Sequence, residues 1–198
     1  MNVIFDIGGV LLDFKYKEYL QKKYNNKKLE EEIVSKTLNS NLWSLLDKGS
    51  IRLDTLVNIL ANENPMIAND IIEFIEDIPA MVSENIEGVK LIQELKRKGH
   101  KIYLLSNFGY EHFIKLVQDS LFYKLIDGEI ISYQVHMLKP DREIYEYLLE
   151  SYKLNRNDSI FIDDRMDNIM GAKNVSLNGL LFSGYDDLIS KLRKLELI

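Results

Sequence analysis

The chain has 198 residues, 46% of them apolar and 28% charged, with a net charge of −6 and no cysteine. This length allows one substantial core, or a domain carrying a smaller insertion, and the composition excludes disordered and fibrous classes. The acidic balance argues against a nucleic-acid partner, and the lack of cysteine removes disulfides, thiolate catalysis and thiolate-held metals.

The first predicted strand, Val3–Asp6, lies in "NVIFDIGGVLLDF", where an apolar run stops at Asp6 and turns through two glycines. From there to residue 82 the pattern is helical. "LEEEIVSKTL" sets Leu29, Ile33 and Leu38 near one face, "LDTLVNIL" repeats the spacing with Leu56 and Leu60, and "NDIIEFIEDI" with Ile71, Ile75 and Ile78. Such stripes suit core packing in a small helical bundle. "NENP" and "IPAMVSEN" read as breaks. "NLWSLLDKGSI" contains the only tryptophan, Trp43, expected to pack, and a helix stop at Gly49.

From Ser83 the pattern alternates between helix and strand. "ENIEGVKLIQELKRKGH" begins near a Ser/Asn cap and ends with Lys96, Arg97 and Lys98 before Gly99, which suits the negative end of a helix. Strand "KIYLLS" follows, then a helix from Gly109 to Ser120, the segment "LIDGEIIS", and a helix with Pro140 in its first turn. Strand "SIFIDD", helix "RMDNIMGAKN" and strand "GLLF" complete the series. This order implies a Rossmann-like α/β core, a parallel sheet with helices on both faces, built from residues 1–14 and 83–198. Residues 15–82 are expected to form a small helical insertion. No apolar segment nears the roughly 18 residues of a membrane span and no signal-like run opens the chain, so a cytoplasmic protein without a membrane partner is expected.

In an open parallel sheet, ligands gather beyond the carboxyl ends of the strands. Asp6 ends the first strand, Ser106 and Asn107 end the second, and Asp163 and Asp164 end "SIFIDD", while Lys139 precedes the Pro140 helix. Singly, each has a plainer reading: a turn former, a helix cap, a solvated lysine. Adjacent carboxylates at the end of an apolar strand, however, repel one another unless a cation or a shared proton sits between them, and all-oxygen ligands suit Mg²⁺.

Four motifs, "IFDIGGVLLD", "YLLSN", "MLKPDREIY" and "FIDDRMDNIMGA", occur in an order that resembles the haloacid dehalogenase superfamily of phosphatases and related hydrolases. The resemblance runs over nearly the whole chain. It implies Asp6 as the nucleophile that forms an aspartyl-phosphate, Ser106 and Lys139 as phosphate-binding and catalytic groups, and Asn107 as a substrate contact. It further implies Mg²⁺ held by Asp6, the Gly8 carbonyl and Asp164, with Asp163 acting directly or through water. Asp167 and Asn168 fall in the same acidic loop but equally begin the next helix. The insertion would be a cap that closes over the site and selects the substrate.

The chain departs from that pattern at Gly8. The family usually places there a second aspartate, general acid for the leaving oxygen and general base for the attacking water. Three substitutes are open: a good leaving group such as that of a sugar 1-phosphate, a replacement acid such as Asp13 or a cap residue, or halide displacement, which needs no acid. A mutase fits worst. The expected function is therefore Mg²⁺-dependent hydrolysis of small phosphorylated metabolites, sugar phosphates foremost, by a monomer or small homo-oligomer. A 2-haloacid dehalogenase and a catalytically impaired binding protein are the alternatives. His100, His112 and His136 show no ligand spacing and are expected at the surface or in packing.

Overall fold

The computed structural model describes residues 1–198. Its strands are β1 (Asn2–Phe5), β2 (Leu12–Phe14), β3 (Val82–Glu84), β4 (Lys101–Ser106), β5 (Gly128–Ile131), β6 (Ser159–Asp163) and β7 (Asn178–Leu181). Six helices lie between β2 and β3: α1 (Tyr16–Tyr24), α2 (Lys27–Lys36), α3 (Asn41–Asp47), α4 (Leu53–Glu63), α5 (Ala68–Glu76) and α6 (Ile78–Met81). The remainder follow β3: α7 (Ile86–Arg97), α8 (Tyr110–Leu116), α9 (Ser132–Val135), α10 (Arg142–Ser151), α11 (Met166–Asn174) and α12 (Tyr185–Lys194).

Five strands form a parallel sheet in the order β5-β4-β1-β6-β7. The central strands are apolar without interruption because both faces are covered, and the period of two then sorts their side chains. Val3, Phe5, Ile102, Leu104, Ile160 and Ile162 join one core with residues of α7 and α12. The intervening Ile4, Tyr103, Leu105 and Phe161 join the opposite core, against α10 and α11. The α/β architecture expected from the alternation is thus present, with helices on both faces. Strand order reverses direction between β1 and β6, so the crevice at their carboxyl ends is the place where such sheets bind ligands.

The inserted helices have a core of their own, including Leu20, Ile33, Leu46, Leu56, Leu60, Ile71, Phe74 and Ile75. Their chain ends are held together by antiparallel pairing of β2 with β3, Leu12 opposite Glu84 and Phe14 opposite Val82.

Several local expectations are corrected. β1 is Asn2–Phe5 and stops one residue before Asp6, whose N–H still donates to the Ile162 carbonyl at 2.8 Å. "LIDGEIIS" supplies β5, an edge strand with only two buried residues, too little apolar signal to stand out. "IPAMVSEN" is not a break but the short α6, with proline in its first turn, running into β3. Leu38 and Ile78 lie beyond the ends of α2 and α5, and the helix read as Gly109 to Ser120 ends at Leu116. Pro140 precedes α10, whose N-cap is Asp141.

Phe161 is fully buried beneath the sheet's carboxyl edge, with its ring edge-on to Tyr145. Phe161→Ala should lower stability by about 3–5 kcal/mol, whereas Met170→Ala on the exposed face of α11 should stay within about 0.5 kcal/mol. Urea unfolding midpoints at unchanged slope check both.

Candidate active site

The turn after β1 shapes the site first. Gly9 N–H donates to the Leu12 carbonyl at 2.8 Å, and the N–H groups of Leu11 and Leu12 donate to the Ile7 carbonyl at 2.8 and 2.9 Å. Gly9 has a positive φ of 73°, and a Cβ there would stand 2.5 Å from Asp164 Oδ2, so glycine is needed both for the turn and for the approach of that carboxylate. The Gly8 carbonyl accepts no hydrogen bond.

Asp6 is then oriented by three donors on one oxygen. Ser106 Oγ donates to Oδ1 at 2.6 Å, the Ile7 N–H at 2.7 Å, and Lys139 Nζ lies 2.8 Å from the same atom. Oδ2 receives none of these bonds. A carboxylate with one oxygen fixed and the other free is aimed for attack or for holding a cation.

Lys139 is 4% exposed and also reaches Asp163 Oδ2 at 2.7 Å. Burial opposes its charge, but the Asp6 and Asp163 carboxylates outweigh it and hold its pKa above the usual lysine value. Burial pushes Asp6 up to about 6, with Lys139 pulling down and Asp163 adding to the rise. Asp163 is fully buried and fully used: it accepts from Lys139, from the Arg165 N–H at 2.8 Å, and from Asn168 Nδ2, 3.0 Å from each oxygen.

Of the residues read from the sequence, Asp6, Ser106, Lys139, Asp163 and Asp164 converge on the crevice between β1 and β6. Asn107 adjoins them and borders the cavity beside Gly8. Its amide donates to the Lys139 carbonyl and accepts from the Lys139 N–H, both at 2.9 Å, so both ends of the side chain position the lysine. Asp167 lies in the first turn of α11, outside the carboxylate cluster. Asp13 is engaged by Asn85 Nδ2 at 3.3 Å and does not border the site.

The donor set fits a hard divalent cation. Ligand oxygens of Asp6, Asp163 and Asp164 lie within 4.8 Å of one another, and the Gly8 carbonyl is unengaged. Three carboxylates against one ammonium leave a deficit of two positive charges before any anionic substrate arrives.

Beside Gly8 a cavity of about 150 Å³ opens between the core and the inserted helices, walled by Leu12, Phe14, Leu38, Trp43, Ile78 and Phe108. His112 also borders it, stacked on Trp43 at 5.6 Å. Its Nε2 is buried without a hydrogen-bond partner, and burial lowers its pKa to about 4, so the ring is neutral. Ser132 and Asp47 escaped the sequence reading, and the part played by Asn168 was left open there. Asn168 donates to both oxygens of Asp163 and Ser132 bridges Phe108 to Asp47, neither with a spacing signature, while Asp47 comes from the insertion, which periodicity does not place against the core.

Comparison with known proteins agrees with the fold and the motif order. Residues 1–176 match the model of the haloacid dehalogenase-like hydrolases. A sesquiterpene phosphatase of Aspergillus oryzae is 27% identical over 177 residues, 89% of this chain and 87% of that protein. A haloacid dehalogenase family enzyme of Bacteroides thetaiotaomicron, solved with magnesium and inorganic phosphate, superposes with a TM-score of 0.68 at 21% identity, covering 93% of this chain and 96% of that one. The L-2-haloacid dehalogenase of Xanthobacter autotrophicus, with chloropropionic acid covalently bound, gives 0.68 at 16% identity, covering 100% and 84%. With the family model spanning most of its length and the sheet, insertion and motif order in agreement, the chain belongs to the haloacid dehalogenase-like hydrolases.

Proposed function

We propose that the protein is a Mg²⁺-dependent phosphatase acting on phosphomonoesters of apolar alcohols through an aspartyl-phosphate on Asp6. The observation that carries this reading is the orientation of Asp6, with Oδ1 held by Ser106, Ile7 and Lys139 and Oδ2 left free. Oδ2 attacks phosphorus in line with the leaving oxygen, and water later cleaves the acyl phosphate and returns the carboxylate. Lys139 and the Ser106 hydroxyl are placed to meet the charge that gathers on the phosphoryl oxygens. Asp6, the Gly8 carbonyl and Asp164 would hold Mg²⁺, with Asp163 reaching it through water because its own oxygens are already engaged. When bound, Mg²⁺ offsets the site's negative charge and polarises the phosphoryl group.

Residues 15–82 act as the cap and residues 1–14 with 83–198 as the catalytic core. The cap helps to form the cavity for the leaving group, and the apolar walls favour a different alcohol from the sugar expected from the sequence. A sugar phosphate would bury several hydroxyls against leucine, phenylalanine and tryptophan side chains, each costly without a partner. An apolar alcohol gains from the same walls, and the name of the Aspergillus oryzae relative points the same way. A dehalogenase reading leaves the converged carboxylates with no cation-dependent task. A pure binding role leaves the oriented Asp6 oxygen without one.

Two outcomes are expected with purified protein. Phosphate release should require Mg²⁺, stop with chelator, and fall by at least about 10⁴-fold in Asp6→Asn, as loss of a nucleophile does; a malachite-green assay measures this, and turnover that survives Asp6→Asn removes the nucleophile assignment. Across straight-chain alkyl phosphates, kcat/KM should rise by about fourfold per added methylene until the cavity is full, from about 0.8 kcal/mol for each buried group. Glucose 1-phosphate should be the poorer substrate; a preference for it over the alkyl series would restore the sugar-phosphate reading.

A further inference from the structure

Gly8 removes the side chain that normally hands a proton to the leaving oxygen in this family, yet an alkoxide is too basic to leave unaided. α3 brings a carboxylate to the same cavity from the other side. Asp47, the last residue of α3, lines the cavity together with Gly8 and Asn107. Its carboxyl is partly buried there, near enough to Asp6 and Lys139 for their charges to act on it.

The turn that carries Asp47 is fastened to the catalytic core. Ser132 Oγ donates to the Asp47 carbonyl at 2.5 Å while accepting the Phe108 N–H at 2.9 Å, so one hydroxyl ties α3 to the loop that follows Ser106 and Asn107. His136 Nδ1 meets the Lys48 carbonyl at 2.9 Å. Gly49, at φ 71°, packs so closely on Tyr133 that a Cβ would stand 2.7 Å from its carbonyl oxygen. Position on the insertion therefore does not mean a loose position relative to Asp6.

We propose that Asp47 is the general acid and base of the reaction, supplied from the helical insertion in place of the aspartate absent at Gly8. Burial pushes its carboxyl up to about 7, with the Asp6 charge adding and the Gly109 amide and Lys139 opposing, so a protonated population exists at neutral pH. No other group at the cavity can take the part: His112 is neutral, and Asp13 is bonded to Asn85 away from it.

The steps balance. As Asp6 Oδ2 forms its bond to phosphorus, the bond from phosphorus to the leaving oxygen breaks and that oxygen takes the Asp47 proton, giving the free alcohol, the aspartyl-phosphate and an Asp47 carboxylate. Asp47 then takes a proton from water as the water oxygen attacks phosphorus; inorganic phosphate departs, and Asp6 is again a carboxylate and Asp47 an acid.

This inference rests on the phosphatase reading, and the experiment separates the two. The probes are butyl phosphate, whose alkoxide needs a proton, and p-nitrophenyl phosphate, whose phenolate leaves without one. Asp47→Asn, which preserves shape, should lower kcat/KM for butyl phosphate by about 10²–10⁴-fold and for p-nitrophenyl phosphate by no more than about tenfold. Adding Gly8→Asp to that variant should recover at least about tenfold on butyl phosphate, because a Cβ at position 8 meets no atom within 4 Å. Equal losses on the two esters, or no loss on butyl phosphate, would overturn the assignment. In the unsubstituted protein, a steep fall of kcat/KM with leaving-group basicity would overturn it without any variant. Absence of Asp6-dependent turnover of p-nitrophenyl phosphate would instead remove the phosphatase reading itself.

Discussion

Everything at the sheet's carboxyl edge depends on one buried ammonium shared by two carboxylates. Lys139 is 2.8 Å from Asp6 and 2.7 Å from Asp163, with almost no solvent to screen any of the three. Desolvating such groups costs several kcal/mol per ion, and the mutual attraction offsets that only if the geometry is tight and the remaining lone pairs are occupied. The surroundings meet both conditions. Asn107 fixes the Lys139 main chain from both sides, Asn168 and the Arg165 N–H fill Asp163, and the Phe161 ring lies 5.2 Å from the ammonium. The lysine is less a stabilising contact than a fixed charge about which the Asp6 carboxylate is registered.

That arrangement sets the remaining requirements. Two carboxylates on one ammonium, with Asp164 alongside, leave the site negative, a charge that a divalent cation would offset. It also explains why Asp6 has one oxygen engaged and one free. A carboxylate held by both oxygens would be a structural ion pair, and one held by neither would spend binding energy on being oriented.

Much of this was legible in the sequence because it resides in strands. The strong apolar runs at residues 2–5, 101–106 and 159–163 end in polar residues, and a parallel sheet carries those ends to one edge whatever the details of packing. What escaped is what periodicity does not encode. β5 is an edge strand with only two buried residues, β2 and β3 are three residues each, and the clamp that Asn107 makes on Lys139 has no signature beyond that of any strand-end asparagine. The cavity side of the site was illegible for a further reason. Trp43, Leu38 and Asp47 lie on a bundle whose own core is satisfied, and its placement against the catalytic core follows from a few loop contacts that leave no pattern in the chain.

The two sides of the site therefore differ in kind. The carboxylate side is built wholly from the core: strand ends, the loop before α10 and the β1 turn. On the cavity side, Phe108 and His112 of the core face walls from the insertion, and their relative position is held by Ser132, His136 and the packing of Gly49 on Tyr133. Gly8 is where the two meet. With no side chain there, the volume between Asp6 and the insertion stays open to an apolar group. Restoring an aspartate would place a polar group in that space. The missing side chain at Gly8 and the open apolar cavity are thus one structural feature, and the acid proposed on the facing helix turn is compatible with both.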